Sequence, residues 1–433
     1  MASKKLKDSK PRTANQIYFD AAIRHQIGIR NLTTSQVHEL VGVLEKADQD
    51  LVNRLERIIG PSVGKPFSPS SERFKKLVTQ IKAARTVALR QIKKDFKNNL
   101  IDLAKIEEEF ERRMLAESLP VEIDFETIPP ETLTAILQNK PITAGPSGAK
   151  TLDQWFTSLE RVDLERIISA VQLGILEGQS IKDIVARVVG TRSLGFQDGI
   201  LSLSRVNLEA IVRTAVNSIS NTAREAVWDA NQDIMEYLIW TATLDGRTSA
   251  ICRSRDGQIV VLGDNPKPSK GVLLNPQSAR PPAHVNCRSI MVATFNRDGI
   301  VERIGERPFV RSADSPKKRQ IDFREQAKAK AGEEWASMTQ AQRRQATKSI
   351  ANAWADKHIG QVPSSVTYQE WLTGQPADFQ DQVLGKTKGK LFRTGKVTVQ
   401  DFVTLQGNAV TLKQLSKSDP TAFIAAGLLP EDF

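Results

Sequence analysis

Apolar positions in the first third of the chain recur at helical spacing. Val37, Leu40, Val41, Leu44, Leu51, Leu55 and Ile58 fall on one face, which predicts a helix capped by Thr33 or Thr34 and stopped at Gly60-Pro61. The stretch before it, 1–31, is lysine-rich and poor in apolar period, and reads as a flexible basic arm, most plainly over its first fifteen residues. After the turn-rich linker GPSVGKPFSPSS comes the longest periodic segment, 72–116. There Phe74, Leu77, Ile81, Ala84, Ala88, Ile92, Phe96, Leu100, Leu103, Ile106, Phe110 and Met114 return every three or four residues. A stripe of that length needs a partner, so this helix is the candidate surface for self-association or docking. Its opposite face is rich in lysine and arginine.

Two Pro/Gly-rich connectors within 117–150 mark a domain boundary. Beyond it the pattern is helix, turn at EGQS, then a helix capped by Ser180. Another helix, LEAIVRTAVNSISNTAREAVWDAN, follows the TRSLGFQDG loop. The period then drops to two. EYLIWTATLD, DGQIVVL and RSIMVATF predict short strands over 236–243, 257–262 and 288–295 in one small antiparallel sheet. So small a sheet requires a staple or a helical cover. After residue 300 the apolar spacing returns to short helices. The fold class is therefore α+β and predominantly helical. It divides into a flexible arm (1–31), long N-terminal helices (32–150), a core of helices and three strands (151–300), and a helical C-terminal appendage (301–433).

Composition changes this picture in two ways. A 40% apolar and 26% charged chain is globular. A formal charge of +11 points to an anionic partner, with double-stranded DNA contacted through phosphates and without sequence preference. No apolar run is long enough to span a membrane, and the start of the chain lacks a secretory pattern. The expected place of the protein is thus the cytosol, or whatever it is packed into.

Candidate chemistry gathers at RPPAHVNCRS, where His284 precedes Cys287 by three positions; the other of the chain's two cysteines, Cys252, lies upstream near Asp245. Thiolate, imidazole and carboxylate are all zinc donors. Asp245, Cys252, His284 and Cys287 are read first as a metal-free hydrogen-bonded junction with no cofactor, and a structural zinc held by the same four residues is the alternative. A metal-dependent hydrolase or nuclease is a further alternative, although no helical His-Glu-x-x-His motif supplies a general base. A non-specific DNA-binding protein is another. Asp245 is placed to pair with Arg247, and Asp256-Gly257 to make a turn. In the C-terminal part, Trp371, Phe379, Leu384, Leu391 and Phe392 read as a small core. GKTKGKLFRTGK offers Lys386, Lys388, Lys390, Arg393 and Lys396 as candidate phosphate contacts.

WTATLDGRTSAICRSRDG followed by PPAHVNCRS resembles the core signature of phage minor head proteins, the Mu gpF-like head morphogenesis family. Asp245, Arg247, Thr248, Cys252, Asp256, Gly257, Pro282, His284, Asn286, Cys287 and Arg288 carry the likeness. Family members often have a further cysteine where this chain has Ser289, which argues against a multi-thiol metal site. LGILEGQSIKDIVARV and VRTAVNSISNTAREAVW resemble the family's helical lead-in, and 368–403 a tail found on many members, so the likeness runs from about 155 to 415. The resemblance implies a structural, non-enzymatic virion protein acting in head assembly between portal and major capsid protein, near the packaged DNA.

Overall fold

The computed structural model describes residues 13–59, 72–143, 148–194, 196–295 and 305–433. The apolar stripes of the first two helices, α1 (Ala14–Ile59) and α2 (Glu72–Ser118), face each other. Leu40 and Leu44 share a core with Leu89, Ile92 and Phe96, and Leu51 and Leu55 with Phe74, Leu77 and Ile81, so the helices run antiparallel. The stripe of α2 is thereby covered within the chain, which removes it as the exposed docking face expected above. Residues 14–31 are not an arm either. They form the first turns of α1, with Tyr18, Phe19, Ala22 and Ile29 buried. Thr33 and Thr34 lie inside the helix, where their hydroxyls donate to the carbonyls of Ile29 (2.6 Å) and Arg30 (2.9 Å) instead of capping a start. Residues 1–12 and the linker at 60–71 lie outside the described residues.

A short helix α3 (Pro130–Asn139) and a two-residue antiparallel pair, β1 (Ile142–Thr143) with β2 (Ala149–Lys150), lead to α4 (Leu152–Leu176). Next come α5 (Ile181–Val189), capped by Ser180 as predicted, and α6 (Ile200–Ala230). Helix α6 is the axis of the bundle, packing against α1, α2 and α4. It buries polar side chains as well as apolar ones. Arg224 donates to Glu111 of α2 (2.6 Å), as does the Trp228 indole (2.5 Å), and the Tyr18 hydroxyl of α1 bonds the same carboxylate. At the far end Arg85 of α2 is held between Asp48 of α1 and Asp163 of α4.

The chain then forms β3 (Tyr237–Thr241), β4 (Leu244–Asp245), α7 (Ala250–Arg255), β5 (Ile259–Val261) and β6 (Ile290–Thr294). Strand β3 is central in an antiparallel sheet ordered β5-β3-β6, with Ile239 opposite both Ile259 and Val292. The three predicted strands are present, each shorter than its predicted span. Helix α6 supplies the cover that so small a sheet needs. Asn221 accepts from Met291 N (3.1 Å), and Asn217 donates to Ser289 O (3.2 Å).

The C-terminal part departs from a helical appendage. Strand β7 (Glu306–Val310) pairs in parallel with β4, and a hairpin of α8 (Pro316–Ala331), α9 (Glu334–Ser337) and α10 (Gln340–His358) leads to β8 (Ile359–Pro363), antiparallel to β7. One sheet thus crosses the expected boundary at 300. The remaining helices, α11 (Tyr368–Thr373), α12 (Ala377–Leu384), α13 (Lys386–Arg393), α14 (Leu412–Ser418) and α15 (Pro420–Ala425), enclose a core of Trp371, Phe379, Leu391, Phe392 and Phe423, with Leu384 packed against it. No helix among the described residues is long and apolar enough to cross a membrane.

Candidate functional site

The sequence His284-Val285-Asn286-Cys287 closes a tight turn in which Cys287 N donates to His284 O (3.1 Å). Asn286 sits at the third position with φ of 60°, a left-handed conformation that asparagine tolerates better than most residues. Its backbone N–H is tied to Thr214 Oγ1 of α6 (2.9 Å). The turn directs His284 and Cys287 towards α7, where Ser249 caps the helix by accepting from Cys252 N (3.4 Å). Cys252 Sγ lies 3.2 Å from His284 Nε2 and 3.6 Å from Cys287 Sγ. His284 Nδ1 lies 2.8 Å from Val285 O. A carbonyl can only accept, so Nδ1 carries a proton and its N–H donates. Nε2 is the nitrogen that faces the sulfurs.

Both thiols are free and buried, and His284 is half-buried. Burial pushes the Cys252 thiol well above the usual thiol range, and contact with Cys287 adds to this. Burial also acts on Cys287, but hydrogen bonds from Cys252 and His284 outweigh it and bring that thiol well below its usual range. The charged form is favoured where donors converge on it.

Asp245 stands apart from this trio. Its two oxygens accept from Arg288 Nη1 (2.5 Å) and Nη2 (2.7 Å), a bidentate pair, and Oδ1 accepts also from the Thr248 hydroxyl (3.0 Å) and Arg247 N (3.0 Å). Burial would raise this carboxyl, yet Arg288 holds it below the ordinary carboxylate range. Asp245 is therefore not among the side chains whose donor atoms gather, which are Cys252, His284 and Cys287. Its ion-pair partner is Arg288, and Arg247 contributes a backbone N–H. Gly257 makes the expected turn with φ of 84°. Asp256 does more than turn the chain, accepting from Ala242 N (2.8 Å), Tyr368 N (2.7 Å) and Arg307 Nη1 (2.9 Å).

A cavity of about 230 Å³ opens beside the trio, lined by Thr243, Arg247, Ser249, Cys252, His284 and Arg288 among others. Arg30 of α1 approaches from the other side, donating to Thr243 Oγ1 (2.6 Å) and Arg288 O (3.2 Å). Burial, with Arg288 adding to it, pulls the Arg30 guanidinium down to about 10. Arg30, Arg307 and Tyr368 were not legible as site residues, because each comes from a distant segment and sits in no local motif. The basic segment is uneven. Lys388 Nζ donates to Val410 O (2.7 Å) and Arg393 pairs with Asp381 (2.7 Å), whereas Lys386, Lys390 and Lys396 are exposed.

Fold and site together define a predominantly helical α+β protein whose Cys/His turn fastens a small sheet to a bundle. Residues 165–292, from within α4 to β6, match the family described as Phage Mu protein F like protein. Over that segment, a little under a third of its length, the chain is similar to this family. The match contains the whole trio and ends before the tail at 368–403. No curated protein and no solved structure matches the chain.

Proposed function

We propose that this is a minor head protein that joins portal and capsid during head assembly and stays in the virion beside the packaged DNA. The observation that carries the reading is the way the family-matched segment uses its polar residues. Asn217, Asn221, Asp245 and Asp256 each tie one element of the fold to another, as expected of a rigid assembly part. The portal or capsid surface is assigned to the end of the bundle where Leu173 and Leu176 of α4, Leu194 and Phe196 of the segment between α5 and α6, and Leu203 and Val206 of α6 are exposed. Large apolar side chains left in water favour a protein partner.

For DNA, the α8–α10 hairpin adds to the basic segments. Over 316–358 ten lysines and arginines stand against five acids. They are spread along helices and gathered into no groove-reading face, which suits phosphate contact without a base code. Mass spectrometry of purified virions and of prohead intermediates tests the reading. The protein is expected in both, and its absence from both would refute the assignment.

A further inference from the structure

We infer that Cys252, His284 and Cys287 bind one zinc ion through three protein ligands, and that the fourth position opens to the adjacent cavity and takes water or a small anion. This goes beyond the assembly role and does not depend on it.

The argument starts from the spacing of the donor atoms. Zinc bonds of about 2.3 Å to sulfur and 2.05 Å to nitrogen, arranged tetrahedrally, give edges of about 3.8 Å between sulfurs and 3.6 Å between sulfur and nitrogen. The observed separations are 3.6 Å for Cys252 Sγ to Cys287 Sγ and 3.2 Å for Cys252 Sγ to His284 Nε2. A few tenths of an ångström of opening would seat the ion. The histidine is oriented for the task, since its Nδ1–H is engaged by Val285 O (2.8 Å), the outer contact that metal-bound imidazoles usually make. The turn that sets His284 beside Cys287 and the capped first turn of α7 that presents Cys252 hold the donors without help from an ion. Two thiolates and one imidazole suit zinc over harder cations.

Among the described residues no side chain supplies a fourth ligand. Asp245 is held bidentate by Arg288, and Ser289 stands where a further thiol would serve. The open side of the trio is the cavity, into which Arg247 and Arg288 bring positive charge. Seating the ion needs both sulfurs deprotonated and Nε2 unprotonated, so the displaced protons leave to solvent.

The experiment is metal analysis of full-length protein purified under reducing conditions, followed by cobalt(II) substitution. We expect about one zinc per chain and a thiolate-to-cobalt charge-transfer band. Cys287→Ser should lower metal content about tenfold or more, while Asp245→Asn keeps it. Azide added to the cobalt protein should shift its d–d bands, since the fourth site exchanges. Should Cys287→Ser fail to fold, chelation of the wild-type protein should lower its melting temperature and zinc alone should restore it. A chain that stays metal-free when offered zinc, with both thiols titratable or joined as a disulfide, overturns the site. Loss of metal in a folded Asp245→Asn protein, or cobalt bands indifferent to azide, overturns the three-ligand, open-position geometry.

Discussion

Asp256 and Arg307 join the C-terminal segment to the sheet domain, and both are buried. Removing the cation would break a buried ion pair and leave Asp256 short of one of its partners in a dry site, so Arg307→Met should destabilise the protein by about 3–5 kcal/mol. Urea unfolding measures this, and a loss under about 1 kcal/mol would mean that water replaces the guanidinium. A second carboxylate carries a pH dependence. Burial raises Asp48 to about 6, against the opposing pull of Arg85 and Arg205. A carboxyl whose folded value lies above its unfolded one adds stability when protonated. That contribution is full below about pH 4 and is lost as pH rises through about 6, amounting to about 3 kcal/mol at most. The slope of stability against pH between 4 and 6 should flatten in Asp48→Asn. Cys252, His284 and Cys287 were legible as a group because such residues are scarce in this chain and fall beside strand ends. Asp245 was misread as their companion. Sequence does not rank partners, and the guanidinium of Arg288, placed one residue after Cys287, reaches that carboxylate bidentately.

Helix α1 shows how an element escapes a pattern search. Its first half carries apolar side chains in short runs, Ile17-Tyr18-Phe19 and Ala21-Ala22-Ile23, that spread round the helix instead of marking one stripe, and two threonines that resemble a helix start sit in its middle. What makes residues 14–31 helical is tertiary. Tyr18 reaches Glu111 on α2, and Phe19 and Ala22 join the core beneath the sheet. Deleting residues 1–31 should therefore remove core, not a tether. We expect loss of cooperative thermal unfolding, checked by calorimetry, whereas a true arm would leave the transition unchanged. Strands β4 and β7 escaped for a related reason. Two residues in one, and Arg307-Pro308 in the middle of the other, give no alternation to detect. The His284 turn is a local device with its own expectation. Asn286→Gly should keep the turn, and Asn286→Val should cost about 1–3 kcal/mol because a β-branched residue resists positive φ; thermal melts of the two variants compare them directly.

At the scale of the whole molecule, charge and exposed apolar surface lie in different places, and each predicts a different partner. DNA binding should weaken steeply with salt, with log K falling by about 0.9 per unit of log salt for each phosphate neutralised. Two unrelated duplexes should bind alike in fluorescence titrations, and discrimination that survives high salt would contradict the phosphate-only mode. Leu203→Glu with Val206→Glu should leave the fold intact, since both side chains are already in water, yet reduce incorporation into proheads; unchanged incorporation would move the contact surface elsewhere. Helical content and the central sheet were readable from periodicity, while the domain boundary at 300 was not, because parallel pairing between β4 and β7 leaves no local trace. The way β7 meets β8 has one more consequence. Val310 and Ile359 are direct partners in the sheet, so everything between them leaves and returns through a single doorway two strands wide. A tight Asn-Gly turn would close it, and the strands would keep their register with the entire α8–α10 hairpin gone. The hairpin is thus separable in principle: shortening it or changing its charge should leave the frame behind it in place.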